Sequence, residues 1–195
     1  MVRGQPTEKF VRAIAAIDAV HAEDPEKDAS GGARELVYAQ RMSAWLGRLA
    51  PQASDALRLA VRCQHLRRWA IPRAGFPEGK VGYLSWRKQE LLAHAALAGE
   101  LLALAGYGAG TVQRVQSLIK KERIKHDAEA QALEDVTCLV FLEYEFAPFA
   151  AKHPDDKVID ILRKTWPKMS PLGQRKALGL QLPARLRAVV GKALA

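Results

Sequence analysis

A chain of 195 residues with 49% hydrophobic content is long enough to bury a core and fold without staples. Thirty Lys and Arg against 21 acids leave a net charge of +9, which favours anionic partners: nucleotides, phosphoesters or nucleic acid. No apolar run approaches the roughly 18 residues of a membrane span, residues 1–7 are too polar to open a signal peptide, and Cys63 and Cys138 lack Cys-x-x-Cys spacing. Those features exclude a spanning protein and a disulfide scaffold, and they predict a cytoplasmic protein with reduced thiols and no membrane partner.

Residues 8–21 read as a first helix capped by Thr7, with Phe10, Ile14 and Ile17 facing inward. Residues 22–32 carry Asp24-Pro25 and Gly31-Gly32 and read as an exposed acidic loop, although His21, Glu23 and Asp24 have metal-ligand chemistry. A second helix over residues 34–49 aligns Glu35, Tyr38, Met42, Trp45 and Leu49 on one stripe, so Glu35 opens a buried face. Ser54-Asp55 cap a third helix, which the pattern carries through Arg67, Arg68 and Trp69 to a stop at Ile71-Pro72. His65 follows Leu57 and Val61 at steps of four on that helix and points inward. Arg62, Arg67, Arg68 and Arg73 crowd around it, and guanidinium groups match phosphate oxygens in bidentate fashion.

Residues 74–83 are rich in Gly and Pro, contain neither a dinucleotide fingerprint nor a Walker motif, and read as a loop over the site. The next helix, residues 84–105, opens on Trp86-Arg87 and places His94 on its apolar stripe between Leu91 and Ala98. Thr111 starts another, with Val112, Val115 and Ile119 inward, followed by a basic edge that includes Lys120 and Lys121. Residues 128–149 form the most apolar helix, on which Asp135 shares a face with Leu139, Leu142 and Phe146. Helices over residues 158–166, 171–180 and 183–194 complete the chain, and Lys164 beside Trp166 offers a second cationic wall. With no strand pattern or repeat, the expectation is all-α: a single-domain bundle over residues 1–195, its core spanning about 8–168 and its C-terminal helices, residues 170–195, packed on that core. A buried imidazole or carboxylate costs several kcal/mol, roughly, unless paired or metal-bound. His65 and Asp135, on different helices, therefore predict one shared polar site.

Several blocks carry a resemblance: Asp24-Pro25, Glu35-Leu36-Val37-Tyr38, Gln64-His65-Leu66-Arg67-Arg68-Trp69, Pro72-Arg73, Gly82-Tyr83, Trp86-Arg87, Lys120-Lys121, Leu133-Glu134-Asp135-Val136 and Lys164-Thr165-Trp166. Through them the chain resembles the uncharacterised "domain of unknown function 4202" family over most of its length. In part it also resembles the HD superfamily of metal-dependent phosphohydrolases, with Leu66 standing where that superfamily follows its histidine with aspartate. The HD resemblance implies an HD-like fold and a divalent metal ion held by Glu35, His65, His94 and Asp135. His65 and Asp135 would then be catalytic, with Arg67, Arg68, Arg73, Trp86, Arg87, Lys121 and Lys164 binding substrate. The first functional expectation is metal-dependent hydrolysis of a nucleotide-like or other phosphorylated molecule. The second is a metal-free helical module that binds a nucleotide or RNA through the same basic, Trp-containing residues, His65 and Asp135 serving as buried hydrogen-bond partners.

Overall fold

Amphipathic periodicity produces ten α-helices in the computed structural model, which describes residues 6–194 apart from the side chain of Lys125. The reading of residues 1–7 as non-signal lies largely outside those described. Among the described residues there is no strand; an isolated bridge joins Lys27 to Ala33. The chain divides into two compact units, one ending at Arg123 and the other starting at Ile124.

The first unit contains α1 (Glu8–Ala22), α2 (Arg34–Leu49), α3 (Asp55–Arg62), α4 (Gly79–Leu104) and α5 (Ala109–Ile119). Helix α1 packs on α2, α3 and α4, and α5 lies against α3 and α4. Thr7 and Ser54 cap α1 and α3 by accepting from Phe10 N and Leu57 N. Helix α2 starts on Ala33, which has no capping side chain. Asp24 does that work from the preceding loop: its two oxygens accept from Glu26 N and Glu35 N, each at 2.9 Å.

Two sequence expectations change here. The acidic loop is not wholly exposed: of its three ligand-type residues, His21 and Asp24 are buried, while Glu23 is in solvent, paired with Arg67 at 2.9 Å. The third helix ends at Arg62, and residues 63–67 turn before a 3₁₀ segment, Arg68–Ala70. His65 and Arg67 adopt left-handed backbone at φ 64° and 51°. No Gly or Pro marks this stop, because tertiary contacts of the imidazole, not local propensity, hold the turn. Arg62 is also diverted from any anion, since its guanidinium grips both oxygens of Asp18 at 2.6 and 2.7 Å and so ties α3 to α1.

The expected loop over residues 74–83 is instead a 3₁₀ turn, Arg73–Gly75, three connecting residues and then α4, which begins five residues earlier than the apolar pattern suggests. Arg73 donates to the carbonyls of Phe76 and Pro77 at 2.9 and 2.8 Å, and Trp86 Nε1 donates to Ile71 O at 2.8 Å. Gly82 completes the closure: a Cβ there would stand 1.9 Å from Pro77 O, so only glycine lets α4 lie this close to the turn.

The second unit contains α6 (Ala128–Val140), a π-helical turn (Phe141–Glu145), α7 (Phe146–Ala151), α8 (Asp155–Thr165), α9 (Pro171–Leu178) and α10 (Ala184–Leu194). Helix α6 packs on α9, and α8 on α10. The continuous helix read over residues 128–149 is thus interrupted by one widened turn.

Candidate functional site

The buried polar cluster of the first unit draws on every one of its first four helices. Trp86, Glu90 and His94 follow one another at steps of four along α4 and are all buried. His21 ends the inner stripe of α1, one turn beyond Ile17. Glu35 comes from the first turn of α2, and the turn after α3 delivers His65 and Arg68.

His65 is fixed on three sides. Arg68 Nη1 lies 2.9 Å from its Nε2 and 3.4 Å from its Nδ1. A guanidinium only donates, so Nε2 is the accepting nitrogen and Nδ1 carries the proton, which it donates to Glu35 Oε2 at 3.0 Å. Tyr38 stacks on the ring with centroids 4.3 Å apart and planes within 9°. The ring of His94 sits 6.1 Å away. His94 Nε2 and His21 Nδ1 are buried with no hydrogen-bond partner among the described residues, while His21 Nε2 donates to Arg62 O at 3.0 Å.

Glu90 is fully buried between two cations. Arg87 Nη1 donates to its Oε2 at 2.7 Å, and Arg68 Nε lies 3.2 Å from its Oε1 in an ion pair without hydrogen-bond geometry. Both guanidiniums also face the Trp86 ring, at 5.1 and 5.7 Å from its centroid. Burial pushes the Glu90 carboxyl above its ordinary range, with Arg68 and Arg87 pulling the other way.

Burial likewise lowers the imidazoles of His21 and His65, and takes His94 down to about 2; the cations Arg68 and Arg87 add to the effect on His65 and His94. Burial raises Glu35 to about 7, opposed chiefly by Arg68. The signs give a pH dependence. Imidazoles held below their unfolded value of 6.5 contribute stability above that pH and lose it as pH falls, because the unfolded chain then binds more protons. Glu35 works oppositely: with its folded value raised, it contributes stability as pH drops through about 7. Three imidazoles outweigh the two raised carboxyls, Glu35 and Glu90, so the melting temperature should fall as pH drops below 6.5. His94→Gln should flatten that fall, and an unchanged slope in this variant would remove His94 from the account.

The other expected site residues are placed as follows. Arg67 is exposed and Arg73 is spent on the turn carbonyls. Trp86 is buried with its indole N–H bonded, so it is a support for cations and not an open stacking platform. Lys121, also left-handed at φ 58°, lies just beyond the end of α5 and bears electrostatically on His65. Lys164 belongs to the second unit, exposed and paired with Asp160 at 2.7 Å.

Asp135 also lies in the second unit, buried as expected. It is committed there: Oδ1 accepts from Ser170 N at 2.7 Å and from Gln131 Nε2 at 2.9 Å, and Oδ2 accepts from Ser170 Oγ. These bonds bear on the metal set expected from sequence: both ring nitrogens of His65 are engaged, Nε2 by the Arg68 cation, and Asp135 already accepts three hydrogen bonds within the second unit. Sequence reasoning missed Glu90 and read His21 and Asp24 as part of an exposed loop, although His21 and Glu90 lie on stripes visible in the sequence.

The family model for the domain of unknown function DUF4202 matches residues 11–190. The chain belongs to this family. The match spans all ten helices in whole or in part, so the clustered residues of this DUF4202 chain and its Asp135 network both fall inside the family's domain. No curated protein and no solved structure matches the chain.

Proposed function

We propose that the first unit binds the phosphate group of a small, nucleotide-like phosphorylated molecule between Arg68 and Arg87, without a metal ion. The observation that carries this reading is the pair of guanidiniums on one fully buried carboxylate. Glu90 orients both forks but neutralises only one charge, and both cations sit beside the buried Trp86 indole. A preorganised cationic pair in partly desolvated surroundings favours an anion that accepts bidentate bonds, as phosphate does. Arg68 and Arg87 are each partly exposed, so part of both guanidiniums faces solvent and can donate to such an anion.

The geometry speaks to a phosphate and not to a base, because both guanidiniums already face the Trp86 ring. The chain's net charge of +9 adds long-range attraction for such an anion. We place its work in the cytoplasm, where phosphorylated metabolites are plentiful. Among the described residues no helix is long and apolar enough to cross a membrane.

Thermal shift against inorganic phosphate and a panel of mononucleotides at low ionic strength tests the reading. A ligand at 100 times its Kd adds about 2.7 kcal/mol, a shift of several degrees. The shift should vanish in Arg68→Gln/Arg87→Gln. No shift with any phosphorylated compound, or a shift that survives the double variant, would defeat the proposal. Tight, salt-sensitive binding of RNA with no response to mononucleotides would favour an RNA module instead.

A further inference from the structure

His65 has the form of an oriented base whose working nitrogen is covered. Glu35 holds Nδ1–H at 3.0 Å, Tyr38 fixes the ring plane from 4.3 Å, and the left-handed backbone at φ 64° aims the side chain inward. Only Nε2 is left for chemistry, and Arg68 occupies it at 2.9 Å. We propose that Arg68 is a displaceable cap: a phosphoester entering beside Arg87 draws Arg68 to itself, and the uncovered His65 Nε2 acts as general base for hydrolysis of that ester. The proposal rests on the phosphate-binding reading above.

The ordering of interactions favours the exchange. A guanidinium gives a charge-assisted, bidentate pair to a phosphate dianion and only one neutral-acceptor bond to an imidazole. Arg68 has little to lose, since its ion pair with Glu90 runs through Nε and its contact with His65 through Nη1. The charged and titratable groups bearing on His65 are Arg68, Arg87, His21 and Lys121, with Glu35 and His94 beside it. Burial apart, Arg68 is the first of the groups that weaken His65 as a base. Moving that charge onto phosphate, and bringing in the dianion, raises the proton affinity of Nε2 at the moment a base is needed.

In the step itself a water oxygen forms a bond to phosphorus as the ester P–O bond breaks, and its electron pair leaves with the ester oxygen. One water proton passes to His65 Nε2, while Nδ1–H stays on Glu35. The imidazolium then returns the proton to the departing oxygen. Ester and water become alcohol and inorganic phosphate, with no oxidant, reductant or other co-reactant.

The test uses the full chain with ¹⁵N-labelled histidine in the presence of chelator, inorganic phosphate as non-reacting probe and p-nitrophenyl phosphate as substrate. Phosphate should raise the melting temperature and move the His65 Nε2 resonance away from its Arg68-bonded position. Arg68→Gln should produce that movement with no ligand added, a readout a purely structural role would not give. Turnover of p-nitrophenyl phosphate should fall about 10²- to 10⁴-fold in His65→Gln, and Glu35→Gln should lower kcat more than it raises KM. Should His65→Gln fail to fold, the resonance in Arg68→Gln still decides. Phosphate binding with an unmoved His65 resonance and no turnover overturns the cap and leaves the binding reading intact. Turnover that disappears with chelator overturns the metal-free base. Absence of phosphate binding overturns both.

Discussion

Glu90→Ala should cost roughly 3 kcal/mol, a fall in melting temperature on the order of 10 °C. The residue is fully buried, while its partners Arg68 and Arg87 are 29% and 25% exposed. Removing the carboxylate leaves two guanidiniums facing one another across a cavity beside Trp86. Their partial contact with water keeps the loss near the lower end of the range for breaking a buried ion pair. Glu90→Gln separates charge from volume: it fills the space but presents an amide to two donors, so it should recover little of the stability. Inorganic phosphate should restore more of the melting temperature in Glu90→Ala than it adds to the parent, since the variant has lost its internal anion. Equal phosphate shifts in both would mean that the two cations do not act as the anion site.

The second large effect is expected at Asp135. Its carboxylate takes bonds from Ser170 N, Ser170 Oγ and Gln131 Nε2, and Ser170 Oγ accepts in turn from Gly173 N at the start of α9. Asp135→Ala leaves these donors without their charged acceptor, and hydrogen bonds to charged groups are worth about 1.5–3 kcal/mol each. Shared acceptor and solvent compensation bring the expected loss to about 3 kcal/mol. Gly173 is part of the same contact, because a Cβ there would stand 2.7 Å from Asp135 Cγ. Gly173→Ala should therefore destabilise the same unit, though glycine-to-alanine changes in a helix usually help. Urea unfolding of both variants measures this. An Asp135→Ala protein as stable as the parent would remove the anchoring role, and an Asp135→Asn protein that kept its fold but lost phosphate binding would return Asp135 to the functional site.

The helices were readable because their inner faces repeat at three and four residues and their starts carry Thr7, Ser54, Asp127 and Ser170 as caps. The site was less readable, for particular reasons. His65 was expected on a helix by counting from Leu57 and Val61, yet it is delivered half-buried from a turn; contacts with Glu35 and Tyr38 hold a left-handed backbone that no local residue announces. Asp135 was expected inside and is inside, but periodicity gives a direction and no partner, and Ser170 comes 35 positions later. Glu90 lay in plain view between Trp86 and His94 on one stripe, where a charged side chain is easily passed over as surface. Asp24 could not be found by period at all, since it caps a helix that starts ten residues after it.

The left-handed turn after α3 narrows the vocabulary that position 65 can tolerate. Its backbone crowds a side chain branched at Cβ, while glycine, asparagine and aspartate enter that region most easily. A saturation library at this codon should thus be depleted of Val, Ile and Thr on folding grounds alone. Asparagine, tolerated by the backbone yet lacking an imidazole, would report the histidine's chemical contribution separately from its conformational one.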